Sequence, residues 1–156
     1  MPQTKEQWAA EVRYAQRLCQ ITARLYRRVQ TTFTFLSVFT GSATLVSLSA
    51  QMPPKLTIGG AVALAAIGAI NIAMRPAEKV AANDADGRKY ALLLTKGVAI
   101  VDIAELDRML AEARQSDVPE VEPLRDVAFN QVMGEINRPD HVVKLRLAQR
   151  LLGALA

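Results

Sequence analysis

The chain has 156 residues, of which 51% are hydrophobic and 22% are charged, and its formal net charge is +4. The charge is unevenly placed, because residues 29–74 contain a single charged side chain, that of Lys55, between two charge-dense flanks. So long an apolar segment argues against an ordinary soluble globule. The high apolar content without low-complexity tracts argues against disorder over most of the chain.

The positive charge is concentrated in residues 1–28, which contain six bases and two acids, whereas residues 75–156 are close to neutral. Bases beside an apolar segment are typical of contact with anionic lipid headgroups. Runs of bases interleaved with aromatic residues, as in nucleic-acid-binding proteins, are missing from the sequence. We therefore expect the lipid bilayer as a partner and no nucleic acid.

The residues that usually carry catalysis or bind metals are scarce. One cysteine, Cys19, and one histidine, His141, cannot form a His/Cys zinc site within one chain. No phosphate-binding glycine loop or nucleophile elbow is present in the sequence. We predict that the protein is not an enzyme and that it has no cofactor and no metal.

The first predicted region is an amphipathic helix within residues 1–30. Thr4 and Gln7 have the spacing of a capping box at its start. Its apolar residues form two neighbouring rows at helical spacing. The first row is Trp8, Val12, Ala15, Cys19, Thr22, Tyr26 and Val29, and the second is Tyr14, Leu18, Ile21 and Leu25. We expect this face to pack on the helix that follows the apolar segment; burial in the headgroup region is the alternative.

Residues 31–74 are predicted to form a transmembrane helical hairpin, with spans at 31–51 and 56–74 and a turn at 52–55. At 1.5 Å per residue, spans of this length measure about 28–30 Å, which matches the hydrocarbon core of a bilayer. Pro53 and Pro54 break the helix between them. A pair of core helices in a soluble protein is the alternative.

The bases that flank the two spans set the predicted topology. They are Arg24, Arg27 and Arg28 before the first span and Arg75 and Lys79 after the second. Positively charged flanks remain in the cytoplasm. We therefore expect a multi-pass protein of the bacterial inner membrane with both termini in the cytoplasm.

Each span carries a line of small residues. In the first span these are Thr34, Ser37, Gly41, Thr44 and Ser47, and in the second they are Ala61, Ala65, Ala69 and Ala73, with Gly60 and Gly68 beside them. Small residues allow transmembrane helices to approach closely, and hydroxyl groups can also line a poorly selective pore. We predict that the alanines pack against another helix, and the simplest such contact is the interface between the two spans of the hairpin. For the first line, pore lining and helix packing both remain open.

Residues 75–156 are predicted to form a cytoplasmic helical region. Helices are expected at about 77–114, with Gly87 and Gly97 as weak points, at 123–133 and at 141–152. The acids and bases at 84–89 are expected to form a solvated face with local ion pairs. No alternating, strand-like pattern is visible, so the fold class is predicted to be all-α.

Several segments together resemble a known family. They are Ala23-Arg24-Leu25-Tyr26-Arg27-Arg28 before the first span, Arg88-Lys89-Tyr90-Ala91-Leu92-Leu93 after the second, and Glu122-Pro123-Leu124 with Ala128-Phe129-Asn130 further on. With the two-span layout they resemble the SLATT proteins, two-transmembrane effector domains associated with nucleotide signalling in bacterial conflict. Related small two-span proteins of phages and prophages share this layout.

The resemblance implies an oligomeric inner-membrane effector in anti-phage or prophage conflict that forms pores or otherwise disrupts the membrane. A homo-oligomer is required because one hairpin cannot enclose a pore. A sensor protein or a nucleotide signal would be the trigger. The alternative function is a non-conducting membrane anchor or scaffold whose cytoplasmic helices bind a partner protein.

Overall fold

A computed structural model describes residues 4–50, 53–119 and 121–156. Within these residues the regular structure is helical and contains no strand, which confirms the predicted all-α class. The helices are α1 Lys5–Ser49, α2 Pro54–Met74, α3 Pro76–Gly97, α4 Ile103–Arg114, α5 Arg125–Glu135 and α6 Leu147–Leu155. Two short 3-10 helices occupy Glu122–Leu124 and Pro139–His141.

The chain divides into two compact units, which we treat separately. Unit 1 is Met1–Leu25 with Lys79–Ala156, and unit 2 is Tyr26–Glu78. The limits predicted from sequence, at 30/31 and 74/75, differ from these by four or five residues, because α1 and α3 each contribute to both units without a helix break.

The predicted turn at 52–55 ends earlier than expected. Gln51 and Met52 lie outside the described residues, and α2 already begins at Pro54. Pro53 precedes the helix with an extended backbone, and Pro54 lies in the first turn, where its missing N–H would have had no partner within the helix. The two prolines therefore start α2, while Lys55 is helical rather than part of the turn.

The start of α1 confirms the predicted capping box. The Thr4 N–H donates to Gln7 Oε1 at 2.8 Å, and the Gln7 N–H donates to Thr4 Oγ1 at 3.2 Å. These two bonds satisfy backbone donors that the first turn of a helix leaves without partners.

The two apolar rows of α1 pack against different helices of unit 1. In the first apolar cluster, Trp8 and Val12 of the first row pack with residues of α3 and α4. In the second apolar cluster, Leu18 and Ile21 of the second row pack with residues from α5 and the C-terminal segment. The first cluster is Trp8, Val12, Tyr90, Leu93, Leu106, Leu110 and Ala113, and the second is Leu18, Ile21, Leu124, Val127, Ala128 and Ala156. The predicted packing of α1 on the following helix is confirmed, and a second partner is added.

The predicted helix at 77–114 is two helices, and the break lies at Gly97. Gly87 continues α3 without interruption. Gly97 is buried against Trp8, whose indole N–H donates to the carbonyl of Leu106 at 2.9 Å. The chain therefore needs a residue without a side chain at 97, where α3 ends beside the buried indole.

The C-terminal helix begins six residues later than predicted. The sequence pattern placed it at 141–152, whereas α6 is Leu147–Leu155. The Asn130 side chain explains the difference, because it accepts from the Val143 N–H and donates to the Val143 carbonyl, both at 2.8 Å. A residue bonded in this way cannot enter the hydrogen-bond ladder of a helix.

Two glycines of unit 1 provide a matched stability test. A methyl group at Gly97 would collide with the Trp8 ring, whereas one at Gly134, in α5, meets nothing within 4 Å. We expect Gly134→Ala to stabilise the protein by about 0.5–1 kcal/mol through helix propensity. Gly97→Ala should destabilise it by about 1–3 kcal/mol through overpacking. Denaturant unfolding of the detergent-solubilised protein measures both, and equal effects would contradict this packing.

Candidate functional site

The candidate functional site is the surface of unit 2. Among the described residues, one helical stretch, within Pro54–Gly97, is long and apolar enough to cross a membrane, and none of its apolar window is buried. That window falls on α2, since charged residues begin at Arg75. No residue of α2 is buried in the single chain.

Unit 2 places α2 antiparallel to the C-terminal part of α1. Ser47 Oγ lies 3.0 Å from Thr57 Oγ1, and a Cβ built on Gly60 would meet the Thr44 hydroxyl. One turn further along, a Cβ on Gly41 would lie 3.9 Å from a Leu64 methyl group. The numbers rise in one helix as they fall in the other, which defines an antiparallel seam. Small residues at these contacts allow the two backbones to approach closely.

Five hydroxyl groups of α1 in unit 2 are bonded to carbonyls of their own helix. Thr31, Thr32 and Thr34 each donate to the carbonyl four residues earlier, at 2.9–3.0 Å. Thr44 donates to the Thr40 carbonyl at 2.8 Å. Ser47 is buried and bonds both to the Thr44 carbonyl and to Thr57. These bonds remove most of the cost of placing hydroxyls in an apolar environment.

The five small residues predicted to form one line on the first span lie in two different environments. Gly41, Thr44 and Ser47 lie at the seam with α2. Ser37 is half-buried, and Thr34 is exposed and borders a shallow groove that Asn71 also lines.

The predicted alanine ridge does not form the seam between the two helices. Ala61, Ala65, Ala69 and Ala73 are all exposed in the single chain. The less exposed side of α2 instead carries Thr57, Gly60, Leu64, Gly68 and Asn71. The interpretation of the ridge as the hairpin interface is therefore corrected, because the glycines and Thr57 give the closer approach to α1. The ridge is left on the outer surface of the pair.

Large apolar side chains cover the rest of the outer surface of unit 2. On α1 they include Phe35, whose ring stacks on that of Phe39 with centroids 6.2 Å apart. The exposed set is Phe35, Leu36, Val38, Phe39, Leu45 and Val46 on α1, and Leu56, Ile58, Val62, Ile70 and Ile72 on α2. An exposed apolar surface of this extent marks contact with lipid or with another protein.

The predicted topology-setting bases lie at the ends of this apolar surface in the sequence. Arg24, Arg27 and Arg28 are exposed, and Lys79 is half-buried. Arg75 closes α2 in the left-handed conformation, with φ 44°, and its guanidinium lies 3.4 Å from the Glu78 carboxylate. Because helices often end in this conformation, Arg75 separates α2 from α3 while keeping a charge there.

A second polar cluster, in unit 1, was not anticipated. Lys89 Nζ donates to Asp86 at 3.0 Å, to Asp117 at 2.7 Å and to the Ala113 carbonyl at 2.6 Å. Asp86 is buried and accepts from the Val118 N–H at 3.2 Å. The expectation that Asp86 and Lys89 belong to a solvated face is therefore wrong. The linker between α4 and α5 contains Asp117 and Val118. It packs back on α3, where Lys89 bonds to Asp117 and Asp86 bonds to the backbone of Val118.

The buried Tyr90 completes this cluster by donating its hydroxyl to Asp117. Burial raises the pKa of the Tyr90 phenol, and the Asp117 carboxylate raises it further. For Lys89, burial alone would lower the pKa of the ammonium, but its bonds with Asp117 and Asp86 outweigh burial and leave the pKa raised. A neutral tyrosine and a fully bonded lysine suit a structural latch that fixes the linker to α3.

The described carboxylates can be compared with the needs of a metal site. No group of three or more His, Cys, Asp or Glu side chains among them could hold a metal ion. Asp102 caps α4 by accepting from the Ala104 N–H at 3.0 Å, so its carboxylate has a structural role.

Sequence reasoning missed Thr57 at the seam, named Gly60 only as a neighbour of the alanine ridge, and missed Asp117 as the partner of Lys89. Residues 57, 60, 64, 68 and 71 have the spacing of one helix face, so the sequence contained this signal. The alanine ridge has a more regular spacing, and the hairpin interface was therefore predicted there. Comparison of the chain with protein-family models, with curated proteins and with solved structures found no match.

The seam predicts a specific disulfide. In a Cys19→Ala background, Ser47→Cys with Thr57→Cys should crosslink on mild oxidation, because the two hydroxyl oxygens lie 3.0 Å apart. Ser47→Cys with Ile58→Cys is the control, since the Ile58 side chain is exposed. The gel mobility of oxidised and reduced protein measures the bond. Equal crosslinking of both pairs would contradict this register.

The latch predicts a loss of stability at high pH. Both pKa values are raised on folding, so the contribution is complete below the ordinary values of 10.0 and 10.5. It is lost as the pH rises above about 10. We expect Tyr90→Phe to reduce the slope of unfolding free energy against pH above 10 and to cost about 1–3 kcal/mol at pH 8. Tyr14→Phe is the control, and an unchanged slope in Tyr90→Phe would contradict the latch.

Proposed function

We propose that this chain is an oligomeric effector of the bacterial inner membrane that compromises the bilayer when it assembles. The observation that carries the proposal is the outer surface of unit 2, where α2 has no buried residue and large apolar side chains of both helices are exposed. Such a surface is stable in hydrocarbon and costly in water.

The first span is the less apolar of the two, and its internal bonding supports a location in the membrane. Thr31, Thr34 and Thr44 satisfy their hydroxyls on carbonyls of the same helix. A helix with satisfied backbone and hydroxyl groups can cross a bilayer. Together with the antiparallel seam, this bonding supports two spans.

The bases support a topology with both termini in the cytoplasm. Arg24, Arg27 and Arg28 precede the first span, and Arg75 and Lys79 follow the second, while Lys55 is alone between the spans. The positive-inside rule then assigns unit 1 to the cytoplasm.

Assembly is supported by the exposed alanine ridge. Ala65 and Ala69 lie on the outer surface of the pair, where small side chains favour close contact between helices of different copies. The seam within one chain uses Gly41, Thr44 and Ser47, so Thr34 and Ser37 are the residues of the predicted line that remain to face a path between copies. A sensor protein or a nucleotide signal would trigger the assembly.

A non-conducting anchor is the second candidate, and the seam favours it specifically. Of the five residues for which pore lining and helix packing were both open, three pack within one chain. In this function the apolar pair only holds unit 1 at the membrane, and the helices of unit 1 bind a partner protein.

Measurement of membrane potential separates the two functions. We expect high-level induction in bacteria to depolarise the inner membrane, as followed with a potential-sensitive dye, because concentration drives assembly. Ala65→Leu should abolish depolarisation by obstructing the ridge, whereas Ala63→Leu, the same change at another exposed position of α2, should retain it. An undiminished potential with the wild-type protein correctly inserted would contradict the effector and favour the anchor.

Labelling of cysteines tests the topology. In a Cys19→Ala background, Lys55→Cys should react with an impermeant maleimide added to intact spheroplasts, because the connection between the spans is predicted to face outward. Arg28→Cys should react only after lysis. The reverse pattern would place the termini outside. Reaction of both sites in intact spheroplasts would exclude two spans.

A further inference from the structure

Helix α6 of unit 1 exposes a ridge of leucines. Leu147, Leu151 and Leu155 are 79%, 66% and 54% exposed. They recur every fourth residue, so at 3.6 residues per turn they lie within an arc of about 80°.

The opposite side of α6 fixes the helix to unit 1. Leu152 packs against the second apolar cluster, of which Ala156 is a buried member. Gly153 lies against Val127, since a Cβ at 153 would stand 3.1 Å from a Val127 methyl group. Gln149 donates to the Asp126 carboxylate at 2.7 Å. The leucine ridge is therefore presented outward by a packed helix and is not a frayed end.

The charged residues of the segment that carries the ridge are all positive, while Glu122 and Asp126 of the neighbouring elements line the cavity that Val143 and Arg146 also border. Lys144, Arg146 and Arg150 are exposed, and residues 141–156 contain no Asp or Glu. On a helical projection, Arg146 and Arg150 flank one side of the ridge. The nearest acid in sequence, Asp140, is paired with Arg138 at 3.7 Å and with His141 at 3.2 Å.

The segment before α6 also exposes apolar side chains. Val142 and Val143 are exposed, and the Asn130 side chain holds Val143 outside the helix by its two hydrogen bonds. Aliphatic side chains from two consecutive segments and three bases thus lie in a stretch of fourteen residues, 142–155.

We propose that this surface, Val142, Val143, Leu147, Leu151 and Leu155 with Lys144, Arg146 and Arg150, binds the surface of an anionic lipid bilayer. The leucines would enter the boundary between headgroups and acyl chains, and the bases would contact lipid phosphates. Unit 1 is covalently joined to unit 2 at two points, 25/26 and 78/79, so a bilayer that holds unit 2 is present at high effective concentration. The proposal rests on the membrane location of the proposed function but not on pore formation.

A second copy of α6 fits this surface less well. Pairing two ridges would bring Arg146 and Arg150 close to their counterparts, and like charges at an interface oppose association. Three leucines on a nine-residue helix also cover far less area than a stable dimer needs. Charge complementarity therefore favours anionic lipid.

The experiment uses the full chain, one copy per nanodisc, in a Cys19→Ala background. A nitroxide is attached at Leu151→Cys, at Leu92→Cys as a control or at Ala65→Cys as a reporter of α2 insertion. Leu92 is a matched control because it is 61% exposed on α3 of the same unit. Discs contain either phosphatidylcholine alone or phosphatidylcholine with phosphatidylglycerol. Accessibility of the label to oxygen and to a water-soluble nickel chelate is measured in both.

In discs with phosphatidylglycerol, we expect the label at 151 to lose accessibility to the nickel chelate severalfold and to gain accessibility to oxygen, while the label at 92 remains in water. Arg150→Gln should weaken this shift, and Lys96→Gln, an exposed base on α3, should not. A label at 151 that stays in water while the label at 65 is in lipid would overturn the proposal and leave the membrane span intact. Burial of 151 only when discs contain several copies would overturn it in favour of self-association.

Discussion

The packing of unit 1 is determined by α1, which has two apolar rows that must both be buried. One row carries Trp8 and Val12 and the other carries Leu18 and Ile21, and a single partner helix cannot bury both. The protein meets this constraint by bringing α3 and α4 to one row and α5 with the C-terminal segment to the other. The breaks in the later chain follow from this arrangement. Gly97 allows the turn beside Trp8, and the Lys89 latch fixes the linker that carries the chain from α4 to α5.

The sequence predicted those features that depend on local periodicity or on long-range composition. The all-α class, the capping of α1 at Thr4 and the packing of its first row on α3 follow from helical spacing and turn chemistry. The apolar character of α2 follows from nineteen consecutive uncharged residues, 56–74. These signals can be recognised without knowing which segment packs against the helix. A helix with two rows, in contrast, shows that two surfaces must be covered without showing which segments cover them.

Two of the missed features share one cause, which is a side chain bonded to groups far away in sequence. Asn130 holds Val143 outside the helix and so delays α6, although the apolar residues from 142 onward have helical spacing. Lys89 reaches the Ala113 carbonyl and Asp117, 24 and 28 residues away. In unit 2 the seam uses glycines and Thr57 instead of the alanine ridge, because the closest approach of two backbones depends on the register between helices. Register is not encoded in either helix alone.

The order of the elements along the chain has a consequence for how unit 1 is made. Trp8 bonds to Leu106 across 98 residues, and the second row of α1 must wait for partners between 121 and 156. During synthesis, α1 therefore leaves the ribosome with both rows uncovered and remains so until the rest of unit 1 has been translated. Nascent chains with uncovered apolar surface aggregate or recruit chaperones.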